Sequence, residues 1–137
     1  MIEHLWSVLC SKSIVDNDTN NISLFELIED LTIENFSGAR LTQVEYEITS
    51  CWFRESLEKE EDNEYRINLI TPSGKDKGGP EIKLHFKKGI NRIRSRSLFH
   101  AFPVEEMGIH RFKISLKDQK GKYKEVASIP ITLKEKT

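Results

Sequence analysis

The chain has 137 residues, with 21 Lys or Arg against 22 Asp or Glu and a formal net charge of −1. That size suits one domain, residues 1–137, with one hydrophobic core, and that balance gives no general argument for nucleic acid or an anionic membrane as partner. No apolar run nears the ~20 residues of a membrane-spanning helix.

The opening "MIEHLWSVLCSK" has Glu3 and His4 where a signal peptide would carry Lys or Arg, and its apolar part is short and interrupted. It reads as a first strand, and the expected location is the cytoplasm. Cys10 and Cys51 are then expected to be free thiols. An immunoglobulin-type bridge places a Trp between the cysteines, well separated from both, whereas Trp52 directly follows Cys51. "DNDTNN" (residues 16–21) is a turn. The next run, "SLFELIEDLTI", is ambiguous. Leu24, Leu27, Ile28 and Leu31 have helical spacing, and Ser23 with Glu26 matches a capping box. As a strand it needs a bulge near Glu29, and the β-rich surroundings favour the strand.

Period two governs the rest. In "QVEYEITSCWFRE", Val44, Tyr46, Ile48 and Trp52 share one face, and Glu45, Glu47 and Thr49 share a solvent face. "SLEKEEDN" is a charged loop. Tyr65, Ile67 and Leu69 alternate with polar residues, as do Ile82, Leu84 and Phe86. "TPSGKDKGGP" (residues 71–80) joins these two strands as a long loop. Phe112, Ile114 and Leu116 form the next apolar face, and "DQKGK" reads as a tight hairpin with Gly121 in the left-handed position. Ile129, Ile131 and Leu133 share the last face. Val126 is out of register with them, which predicts a bulge. Pro130 cannot donate to a ladder and predicts an edge strand. These runs make an all-β chain, a single antiparallel β-sandwich of about seven or eight strands.

"HLWSVLCSKSIVDNDTNNISLFELIEDLTI", the later "INLITPSG" and Gly108 in "MGIHRFKI" together resemble an uncharacterised bacterial family of small domains. The resemblance is spread over most of the chain and implies an immunoglobulin-like β-sandwich with no assigned activity. Glu106, Gly108 and His110 are also similar to the acid-x-Gly-x-Tyr spacing of a tyrosine corner, with His in place of Tyr.

Chemistry-bearing patterns are few. Asp16, Asp18 and Asn20 begin a calcium loop, but Asn21 stands where its Gly belongs and Leu27 where its Glu belongs. A plain turn accounts for them better. His85, His100 and His110 lie in or beside successive strands without a short metal-ligand spacing. No nucleophile elbow or phosphate loop is present. No cofactor, metal or catalytic residue is expected. The remaining candidate is basic. From Lys83 to His100 the chain carries Lys83, Lys87, Lys88, Arg92, Arg94 and Arg96 and no acid, a net +6, while Glu55 to Glu64 carries a net −5. Arg92, Arg94 and Arg96 fall on one face of a strand. The opposite face is a weak core surface, which suits a charge-guarded edge. The expected function is therefore a non-catalytic binding or assembly module, its partner a second copy or an acidic protein surface. The alternatives are anion or nucleic-acid binding through Lys87, Lys88, Arg92, Arg94 and Arg96, and, last, an enzyme of unrecognised type.

Overall fold

A computed structural model describes residues 1–136. The strands are β1 (Ile2–Val15), β2 (Ile22–Leu27), β3 (Asp30–Ile33), β4 (Arg40–Arg54), β5 (Glu61–Ile70), β6 (Glu81–Phe86), β7 (Arg92–Val104), β8 (Gly108–Lys117) and β9 (Tyr123–Glu135). They form two sheets, one ordered β2-β1-β4-β7 and one ordered β3-β9-β8-β5-β6. Among the described residues there is no helix, so none is long and apolar enough to cross a membrane.

The apolar alternations set the core. Tyr46, Ile48 and Trp52 of the first sheet face Tyr65, Ile67, Leu69, Phe112 and Ile114 of the second in one buried cluster. Trp52 lies 4.7 Å from Tyr65 between ring centroids, and Tyr46 lies 5.9 Å from Phe112, so the sheets meet through aromatic contacts. The two cysteines are buried and free of any disulfide. His110 is buried against Phe102, and its Nδ1 is 3.2 Å from the Gly108 carbonyl oxygen. A carbonyl only accepts, so Nδ1 carries the proton. The imidazole thus bonds to the backbone two residues upstream.

The run from Ser23 to Ile33 is neither a helix nor one bulged strand. β2 pairs with β1 in the first sheet, and β3 pairs with β9 in the second. The changeover takes one residue step: the Ile28 N–H donates to the Leu9 carbonyl, and the Glu29 carbonyl accepts from Thr132 N–H. Glu26 has a φ of 52°, which breaks helix and ladder alike. Tertiary pairing overrides the local helix signals. This split explains the count of nine strands where seven or eight were expected. It also makes the second sheet mixed, because β3 runs parallel to β9.

Two expectations about β9 part ways. The bulge at Val126 is present: Ile114 pairs with Ala127 and Ser115 with Glu125, leaving Val126 without an opposite. The edge position inferred from Pro130 is not, since β9 lies between β3 and β8. Pro130 is tolerated because β3 reaches only Thr132 to Glu135, so no ladder partner waits on that side.

The 71–80 loop folds back along β5. Ile67 N–H donates to Pro80, Leu69 N–H to Gly78, and Lys77 N–H to Leu69. This approach requires glycine: a Cβ on Gly79 would sit 1.8 Å from the Ile67 carbonyl oxygen. Gly79→Ala is therefore expected to cost roughly 1–3 kcal/mol of stability, read as a lower urea midpoint at unchanged slope. An unchanged midpoint would show that 77–80 does not lie against β5.

Candidate partner-binding edge

β7 is the outer strand of its sheet, and among the described residues β4 is its one strand partner. Arg92, Arg94 and Arg96 project from its outer face opposite Phe53, Cys51 and Thr49 of β4. They are not equivalent.

Arg96 is committed to Glu47. Its Nε and Nη2 donate to the two carboxylate oxygens at 3.2 and 3.3 Å. Glu47 also accepts from Ser13 N and Ser13 Oγ, both at 2.8 Å, and from Thr49 Oγ1 at 2.6 Å. The residue is 1% exposed. Burial by itself raises a carboxyl pKa. Here the bonds from Arg96, Thr49 and Ser13, and the Arg96 charge, outweigh that effect and Glu47 falls to about 2. The alternation of β4 put Glu47 and Thr49 on a solvent face, and both are buried instead. The reason is the β1–β2 hairpin, which turns over the outer face of the sheet. Ser13 grips Glu47, and the hairpin tip reaches β7, where Arg94 Nη2 donates to the carbonyl and side-chain oxygens of Asn20 at 2.8 and 3.1 Å. The tip is an Asx turn: Asp16 Oδ1 accepts from the N–H groups of Asp18 and Thr19.

Arg92 lies over the Phe53 ring at 5.7 Å, a cation–π contact. Lys87 and Lys88 stand exposed in the β6–β7 turn. Arg54, 1% exposed, shapes that turn from beneath: Nε donates to Ile90 O and Nη2 to Lys87 O, while Nη1 is 3.6 Å from Glu61. Among the described residues, Lys87, Lys88, Arg92 and Arg94 take part in no ion pair, and Arg96 does. The structure therefore brings four candidate cations, unneutralised by contact, to the turn and the first half of the edge. The acidic block begins in the 55–60 loop, which packs beside the same turn with Gly89 N–H donating to Leu57 O, and continues into β5 as Glu61, Asp62 and Glu64. The two charge blocks are neighbours at one end of the molecule.

Further along β7, the edge borders a cleft of about 120 Å³ lined by Phe99, Ala101 and Pro103 on one side and Gly78, Gly79 and Pro80 on the other. Tyr46 and Phe99 stack at 4.9 Å at its base.

The histidines do not converge. His85 pairs with Asp62, His100 is 3.6 Å from Glu45, and His110 is in the core. Among the described residues no three metal-ligating side chains come together. Sequence reasoning missed Glu47, Arg54 and a hydrogen-bonded chain from His4 Nε2 through Ser7 Oγ to Ser50 Oγ. Only Arg54 offered a signal, as a charge directly following the apolar "CWF". No protein-family model matches this sequence, and a search of curated proteins finds no match either.

The Glu47 pKa sets an acid profile. In the unfolded chain the carboxyl titrates near its ordinary 4.5, and in the native protein at about 2. Between these values the unfolded chain takes up a proton that the native state does not. The stabilisation is complete above pH 4.5 and is lost as pH falls toward 2. Glu47→Gln is expected to cost about 2 kcal/mol at neutral pH and to flatten that acid slope in urea titrations. An acid slope identical to that of the unsubstituted protein would remove Glu47 as its source.

Proposed function

We propose that the chain is an immunoglobulin-like binding or assembly module without a catalytic role, working through the open edge of β7. Strand order supports the immunoglobulin-like part. Taken in chain order, β1-β4-β7 corresponds to A-B-E and β6-β5-β8-β9 to C′-C-F-G of a variable-type domain. In that correspondence β2 and β3 are additions at the β1 and β9 sides. A strand D, which would cover E, has no counterpart.

That missing strand is the observation that carries the functional reading. It leaves a strand of 13 residues, Arg92 to Val104, with one side of its backbone unpaired by strand neighbours. An open edge is a template for another extended chain. The charges along it serve both needs, since they discourage indiscriminate pairing and select among partners. The non-catalytic part rests on the chemistry present. One pair of catalytic type, His4 and Ser7, has its serine oxygen also bonded to Ser50.

Selection of linear peptides from a randomised display library against the immobilised protein tests this. Bound ligands are expected to slow amide hydrogen exchange in β7 and to leave β3 and β6 unaffected. Ligands that protect another edge, or a library that yields none, would overturn it.

A further inference from the structure

Given β7 as the working edge, we infer that its partner is an extended acidic segment with an apolar end, added antiparallel to β7. Antiparallel addition is the more stable pairing. Side chains of an added strand alternate between faces, so every second residue lies beside the outer-face residues of β7. Near Arg92 and Arg94 those residues meet guanidinium groups that no carboxylate among the described residues neutralises. Arg94 spends its donors on neutral oxygens of Asn20, and Arg92 rests on Phe53. Lys88 stands just beyond in the exposed turn. Carboxylates two residues apart complement this end.

At the other end the demand changes. Phe99, Ala101 and Pro103 open onto the apolar cleft, across from Gly78 and Pro80. A segment lying over them offers small apolar side chains to that space. In an antiparallel pairing these come first and the acids last. Arg96 lies between the two ends and takes no part, because Glu47 holds it.

Nucleic acid would use the same cations without regard to side-chain parity. The test separates the two. One synthetic peptide of threonine and serine carries two valines two residues apart near its N-terminus and two aspartates two residues apart near its C-terminus. A second has the aspartates moved by one place, so that they face away. Both are titrated into the labelled protein by two-dimensional NMR at low and high salt, beside a single-stranded oligonucleotide of mixed sequence. The first peptide is expected to shift β7 amides and to bind about fivefold more tightly than the second. Lys88→Glu with Arg92→Glu, both exposed and outside the Glu47 cluster, is expected to remove that advantage. Equal binding of the two peptides at β7 overturns the acidic specificity and leaves β7 as the working edge. An oligonucleotide that shifts the Lys87 to Arg94 amides more strongly than the first peptide overturns the assignment to a protein segment. If neither peptide shifts β7 while display-selected ligands protect it, this inference falls alone. If nothing engages β7, both fall.

Discussion

A carboxylate sealed from water must be answered by donors on every side, and in this protein that carboxylate is Glu47. Five hydrogen bonds converge on it from β1, β4 and β7. Any one of them lost leaves charge in a poorly solvated place, so the three strands hold their mutual positions tightly. The hairpin that carries Ser13 is drawn over the sheet, and the Cys10 and Cys51 thiols are closed off from solvent as a result. Burial pushes both thiols up, that of Cys10 further helped by the Glu47 charge, which leaves them poor nucleophiles.

The same cluster divides the arginines by task. Arg96 is a structural cation, spent on Glu47. Arg94 latches the hairpin tip without being neutralised, and Arg92 keeps its charge against an aromatic face. A stripe that looks uniform in sequence is therefore graded along the strand, from occupied near the middle to available near the turn. Lys87 and Lys88 extend the available end, and the buried Arg54 fixes the turn that presents them. The neighbouring acidic loop limits how far that field reaches, and the two blocks partly cancel at a distance beyond the ~8–10 Å over which salt screens charge.

Much of the fold was legible because one face of most strands is apolar. Tyr65, Ile67, Leu69, Leu84, Phe86, Phe112, Ile114, Ile131 and Leu133 all went inward as their alternation required. The hairpin at Gly121, the bulge at Val126 and the edge position of β7 followed from local chemistry. What failed was non-local. Nothing near Glu47 in sequence announces the hairpin that covers it, since Ser13 is 34 residues away. Pro130 signals an absent ladder bond but not how far the neighbouring strand extends. The run around Glu29 holds signals for two structures, and the choice was made by Leu9 and Thr132, which lie in different sheets.

The crossing at Ile28–Glu29 also ties β3 to β9, far along the chain. β3 takes its place against β9, pairing Asp30 with Thr132 and Ile33 with Glu135. These partners lie about 100 residues apart in sequence, and contacts of such separation carry a large loop-closure entropy and form slowly. During synthesis, the N-terminal third has no strand partner in the second sheet until the last strand has been made. Until then Leu31 and Ile33 have no β9 to pack beside, and the sandwich is closed on one flank only. Completion of this fold thus waits on β9, however early the β4–β7 half is assembled.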